Sequence, residues 1–175
     1  MLGQFIEDIA STADMGYRNM ERASELIRSF KQVAVDQTSS HQRIFNLSTV
    51  VNEVLVTLRP TLKKAPVHVE THIPINIEMH SLPGPLAQVL TNLINNSIFH
   101  GLGDKDEITI YLVAECIDHQ VHLTVRDTGI GMSEDSLKRA FDPFYTTKMG
   151  QGGSGLGLNI VHRMIKGMLK GDIEL

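Results

Sequence analysis

The stretch Gly152-Gly153-Ser154-Gly155-Leu156-Gly157-Leu158 decides how this sequence is read. Closely spaced glycines let a backbone approach a phosphate without a Cβ in the way. A helix is expected from about Gly155 to Leu169, and its first N–H groups and positive dipole end would face the same loop. Loop and helix start together make an anion site. Glycine loops also serve as plain connectors, so the stretch takes its meaning from its surroundings. Two familiar phosphate motifs do not fit. A P-loop needs Lys and then Ser or Thr after its last glycine, and Leu156 follows Gly155 instead. A dinucleotide fingerprint follows directly on a strand, and the segment before Gly152 reads as loop.

Upstream, Asp127-Thr128-Gly129-Ile130-Gly131 stands at the end of an expected strand. A carboxylate there accepts a hydrogen bond from an exocyclic amine such as N6 of adenine. Guanine presents an oxygen at the corresponding position, so Asp127 would select ATP over GTP. Taken alone, the dipeptide spacing also suits an ordinary turn. Farther upstream lies Asn92-Leu93-Ile94-Asn95-Asn96, inside an expected helix. Asn92 and Asn96 share one face. Asparagine forms helices poorly, so two on one face beside Val89, Leu93 and Ile94 suggest a polar pocket rather than two solvated amides. An amide oxygen there could bind Mg²⁺, which takes few protein ligands and completes its shell with phosphate and water. Between these stretches and the glycine run lies Phe141-Asp142-Pro143-Phe144-Tyr145-Thr146-Thr147-Lys148. Its aromatics would anchor a loop that closes over nucleotide. Phe144, Thr147 and Lys148 are candidate contacts, with Lys148 reaching a phosphate.

The remaining chain supplies the scaffold. Helices are expected over Leu47–Leu62, capped by Asn46 or Ser48 and closed by Pro66, and from Pro83 to about His100, ending at Gly101. A short helix is expected near Glu134–Ala140. Strands are expected over Val67–Ile73, Glu107–Ile117 and Val121–Asp127, the last two joined by a tight turn, with an extended piece at Ile75–Met79. Helices and strands mix without strict alternation. That favours an α+β two-layer sandwich, a mixed sheet with helices on one face, over a doubly wound sheet. Residues 1–42 form a separate region. Leu2, Ile6, Ile9, Ala13, Gly16, Met20, Ala23, Ile27, Phe30 and Ala34 alternate steps of four and three, a heptad seam that calls for partner helices.

Composition sets outer bounds. The 175 residues carry a net charge of −4 and are 42% hydrophobic, which excludes a disordered chain and a broad basic face for nucleic acid. Cys116 is the single cysteine, so no internal disulfide forms, in keeping with a cytoplasmic location. No apolar run is long enough to cross a bilayer. His68, Glu70 and His72 share one strand face in a zinc-like pattern, but such alternation is what the wet face of a half-buried strand shows.

The order Asn box, Asp-x-Gly-x-Gly, Phe-x-Pro-Phe, Gly-x-Gly-Leu-Gly resembles the ATPase domain shared by histidine kinases, DNA gyrase, the Hsp90 chaperones and MutL. Each motif is weak alone; four in this order and spacing are specific. The resemblance runs from about Phe45 to Leu175. It implies a Bergerat-type sandwich with a lid over roughly Ser133–Ser154, and ATP and Mg²⁺ as ligands. Carried over by motif, Asn96 is the Mg²⁺ ligand and Asp127 the adenine partner. Gly129 and Gly131 form the first glycine box. Gly153, Gly155 and Gly157, with Ser154 and Leu156 between them, form the phosphate-side box. Gyrase-like members carry a Glu one turn before the metal Asn to activate water. Here that position is Asn92, and an amide is no general base at neutral pH. The chain therefore looks like the catalytic domain of a sensor histidine kinase, residues 43–175, preceded by the second helix of a dimerisation bundle, residues 1–42. Glu21 to Lys31 resembles that helix.

The sequence also departs from this family. None of its eight histidines is followed by Asp or Glu, so the phosphoacceptor is read as lying outside this chain. Family domains continue past the position of Leu175 with further strands, so a piece of a longer protein is expected. No catalytic residue is assigned. The resemblance implies a response regulator and a homodimer as partners, and an inner-membrane anchor only through segments upstream. Two other readings are a related serine kinase and a nucleotide-sensing or dimerisation module without catalysis. The heptad helix speaks against the first.

Overall fold

The structure, a computed structural model, describes residues 4, 7, 9, 11–13, 15–17, 20, 41–148 and 153–175. The described positions up to Met20 are helical; the rest of the expected heptad helix, and Gly152, lie outside the described residues. In chain order the elements are β1 (Arg43–Asn46), α1 (Leu47–Leu62), β2 (Val67–His72), β3 (Glu78–Ser81), α2 (Pro83–Asn96), a π turn (Ser97–Gly101), β4 (Ile108–Ile117), β5 (Gln120–Asp127), α3 (Glu134–Arg139), α4 (Gly157–Met164) and a second π turn (Ile165–Leu169).

β4 is the spine of a three-stranded mixed sheet, parallel to β2 and antiparallel to β5. Its alternation is the reason. Ile108, Ile110, Leu112 and Ala114 are buried on one face, while Val113 and Glu115 on the other are exposed. The apolar face is covered by α1 through Leu47, Val50, Val51, Val54 and Leu58, and by α2 through Leu86, Leu90 and Ile94. Burying each such side chain contributes about 1.5–3 kcal/mol. Among the described residues the helices of the core cluster pack on that face, giving the expected one-sided α+β sandwich. A second cluster, Val89, Val161 and Met164, fastens α4 to the far side of α2. Positions 92 and 96 of α2 are thereby brought beside the start of α4.

Several boundaries differ from expectation. Asn46 does cap α1, accepting from Ser48 N at 2.9 Å. It also belongs to a strand absent from the sequence reading, β1, which pairs antiparallel with β3. The extended piece expected at Ile75–Met79 therefore lies at Glu78–Ser81, where it finds this partner. α1 spans Leu47–Leu62 as expected, and the Lys63 N–H bonds Arg59 O at its end, before Pro66. α2 gives way at Asn96 to a π turn that ends at Gly101. Asp118 and His119, both at positive φ, make the two-residue hairpin turn between β4 and β5. α4 begins at Gly157 rather than Gly155, and residues 170–175 carry no regular structure.

Candidate functional site

Asp127 ends β5 with both carboxylate oxygens committed. Oδ1 accepts from Gly129 N at 2.8 Å, and Oδ2 accepts from Ser97 Oγ at 2.8 Å. Ser97 is buried in the π turn, and its distance in sequence from Asp127 hid the pairing from sequence reasoning. The loop after Asp127 is stitched down on both sides. Thr128 N donates to Thr109 O at 3.0 Å, and Ile130 N to Gly101 O at 2.9 Å. A Cβ at Gly129 would lie 2.5 Å from Gly101 O and 2.6 Å from Asp127 Oδ1, so no other residue fits. Gly131 has φ +71 and open space where a Cβ would be.

Asn92 and Asn96 lie one turn apart on α2, as their spacing predicts. Asn92 Oδ1 sits 3.5 Å from Gln88 Nε2, whereas its Nδ2 is buried without a partner among the described residues. A buried unpaired amide donor costs about 1–3 kcal/mol. Asn96, one turn on, lies against the α4 residue Gly157. A Cβ there would come within 3.2 Å of Asn96 Oδ1. Leu156 stands at the N-cap of α4 without a side-chain cap, so the first N–H groups of α4 are open to an anion.

The segment before the glycines packs against them. Gly155 has φ +68, and its missing Cβ makes room for the Phe144–Tyr145 peptide, with Phe144 O at 2.6 Å and Tyr145 N at 2.7 Å. A Cβ at Gly153 would lie 2.5 Å from Thr146 Oγ1. These two glycines thus admit the chain itself. Phe144, at φ +67, is exposed. Asn159 of α4 donates to Phe141 O at 2.8 Å and ties down the segment's start. Its other end lies on the π turn. Thr147 Oγ1 is 3.3 Å from His100 Nδ1, and Lys148 bonds Phe99 O with its amine 5.0 Å from the Phe99 ring. Burial, and then the Lys148 charge, hold the His100 imidazole below the ordinary histidine range. Ser133 caps α3 through Ser136 N at 3.2 Å, and Tyr145 OH reaches Ser136 Oγ at 3.0 Å. Ser154 and Leu156 are half-buried between the segment and α4.

Asp127 through Ser97, Gly157 through Asn96, and the segment to Lys148 through Phe99 and His100 therefore all meet residues 96–100 at the end of α2. Ser97, Phe99, His100, Gly101 and Asn159 join them, and no short-range pattern in the sequence announces these. The zinc-like face does not close up. His68 Nε2 pairs with Glu107 at 2.8 Å and His72 Nε2 lies 3.8 Å from Glu70, and no group of metal ligands occurs among the described residues. Among those residues no helix is long and apolar enough to cross a membrane.

The chain belongs to the family of histidine kinase-, DNA gyrase B- and HSP90-like ATPases, which matches residues 82–175. It is 30% identical over 157 residues to the autoinducer 2 sensor kinase/phosphatase LuxQ of Vibrio vulnificus strain YJ016, covering 85% of this chain and 18% of that protein. Among solved structures it resembles the catalytic domain of histidine kinase ThkA, with TM-score 0.62, 27% identity and coverage of 72% of this chain and 80% of the other. ThkA in complex with the response regulator TrrA matches with TM-score 0.61 and 24% identity, over 85% of this chain and 43% of that one. The chain thus spans under a fifth of the LuxQ relative's length, and it carries the ATP-binding domain common to these kinases.

Proposed function

We propose that this chain belongs to a two-component sensor histidine kinase. Its residues 43–175 bind ATP with Mg²⁺ and present the γ-phosphoryl to a histidine outside the chain. The observation that carries this reading is Asn96 Oδ1 lying against Gly157, beside the first N–H groups of α4, which no side chain caps. Both features suit a polar ligand between α2 and the start of α4. Asn96 Oδ1 is the oxygen that would hold Mg²⁺, which supplies charge neutralisation at the phosphate oxygens when bound. The open N–H groups of α4 hold phosphate, and Lys148 adds a positive charge beside it. Phe144, Thr147, Gly153, Ser154 and Leu156 belong to the lid that excludes water. Asp127, oriented by Ser97 and Gly129, offers its remaining lone pairs to the adenine amine. Gly129 and Gly131 let the base lie against the backbone.

Asn92 stands where a water-activating carboxylate would be needed for hydrolysis, and an amide accepts no proton at neutral pH. Neutral imidazole is itself nucleophilic, so transfer to histidine needs no such base. Catalysis is then positioning and charge neutralisation. Residues 1–42 would supply the second helix of a dimerisation bundle, making the complete protein a homodimer that passes its phosphoryl to a response regulator. The name of the LuxQ relative and the ThkA–TrrA complex support that partner class. The domain acts on the cytoplasmic side, and any membrane anchor lies in other segments. Incubating the complete protein with γ-labelled ATP tests this: an acid-labile, base-stable phosphate is expected, and an acid-stable phosphate or free hydrolysis without labelling would overturn it.

A further inference from the structure

Lys105 belongs to none of the four motifs and stands in an exposed turn between the π turn and β4. Acidic residues flank it at Asp104 and Asp106, yet among the described residues it pairs with neither. Its ammonium instead bonds two successive carbonyls of the adenine-side loop, Thr128 O and Gly129 O, the latter at 2.9 Å.

The consequence lies in the peptide planes. In a trans peptide the C=O and the following N–H point in opposite directions. The plane joining Thr128 to Gly129 is therefore held by Lys105 at its oxygen and by Asp127 Oδ1 at its N–H, 2.8 Å away. The next plane is held by Lys105 at Gly129 O and by Gly101 O at the Ile130 N–H, 2.9 Å away. Two consecutive planes of a glycine loop, which has no side-chain bulk to fix it at position 129, are thus gripped from both edges. The segment that carries Lys105 is fitted for the task. Gly103, at φ +51, has no Cβ where one would meet Ile130 Cγ2 at 2.6 Å, and Lys105 N closes the turn on Leu102 O at 2.8 Å.

We propose that Gly101–Lys105 is a brace for the adenine-recognition loop and that Lys105 is a positioning residue for it. Lys105 fixes Gly129 N–H on Asp127 and so sets the direction in which the carboxylate meets the base. It touches neither base nor phosphate. The inference rests on the nucleotide reading above and adds a determinant of adenine affinity that acts through Asp127.

The test titrates the full 175-residue chain, as wild type, Lys105→Met and Lys105→Arg, with ATP–Mg²⁺ and with adenosine; thermal melting confirms folding of each. Charge-assisted hydrogen bonds of this kind lead us to expect about a five- to tenfold loss of affinity in Lys105→Met, equal for both ligands, with Lys105→Arg within about twofold of wild type. Unchanged affinity in a folded Lys105→Met overturns the brace alone. Loss for ATP with none for adenosine also overturns it, because the amine would then be serving the phosphates. Equal losses that Arg fails to restore overturn the charge-assisted grip. Failure of wild type to bind ATP overturns the nucleotide reading itself and the brace with it.

Discussion

Gly155→Ala tests the fit between the glycine run and the lid. At φ +68 an alanine is strained by about 1–2 kcal/mol. Its methyl would lie 2.6 Å from Phe144 O and 2.7 Å from Tyr145 N, and closer still to Phe144 C. Ordinary van der Waals contact is reached only after the Phe144–Tyr145 peptide withdraws by roughly 1 Å. That peptide is backbone, so no rotamer change relieves the clash. The segment instead releases contacts made farther along, at Tyr145 OH to Ser136 Oγ and Thr147 to His100. The main cluster of α1, α2 and β4 does not include residues 141–157 and keeps its packing. The cost, about 2–3 kcal/mol, falls on the binding-competent lid, and ATP affinity is expected to drop about 30- to 150-fold. The melting temperature should move by only a few degrees. Calorimetric titration, thermal melting and limited proteolysis within residues 141–154 read the three quantities. Wild-type affinity with an unaltered proteolysis pattern would refute the packing argument.

Three further outcomes are expected. Asn92→Leu removes the orphaned amide from an apolar surrounding, so thermal stability should hold or rise by about 1 kcal/mol while ATP affinity falls at least tenfold; a clear loss of stability in a melt would contradict the orphan assignment. Gly157→Ala presses a methyl to 3.2 Å from Asn96 Oδ1, so binding of ATP–Mg²⁺ should weaken about tenfold and magnesium-free binding less, by parallel titrations. His100 titrates below the ordinary histidine range in the folded chain, so the unfolded chain binds the extra proton first on acidification. Its contribution to stability is present above the unfolded pKa, about 6.5, and is lost as pH falls through the folded value. Denaturant melts between pH 7.5 and 5 should show this slope, and it should flatten in His100→Gln.

Much of the architecture was legible because it rests on local periodicity. The alternation of β4, the Asn46 cap and the Pro83 helix start all state their roles within a few residues. β1 was not legible, because Arg43–Asn46 is only four residues long and becomes a strand only through β3, more than thirty residues away. The helix ends at Gly101 as expected, but the π character of its last turn was not legible for a similar reason. The π turn from Ser97 to Gly101 keeps helical spacing in sequence but widens in space, which carries Ser97 Oγ to Asp127. At the candidate site the motifs name residues that the fold brings near the end of α2. They could not name Ser97, Gly101, Lys105 or Asn159, whose roles depend on pairings across 18 to 30 residues. The glycine box was expected to serve phosphate; what the structure shows there is the docking of Phe144–Lys148 against Gly153 and Gly155.

The account stands most directly on one titration: ATP with Mg²⁺ into the wild-type chain, beside Asp127→Asn and Asn96→Ala. Saturable binding is expected for wild type. Asp127→Asn should weaken it with or without the metal, since the carboxylate serves the base. Asn96→Ala should weaken it chiefly when Mg²⁺ is present. A folded wild-type chain that binds no ATP, or binds it equally well in both variants, would contradict the assignment of this cleft to nucleotide.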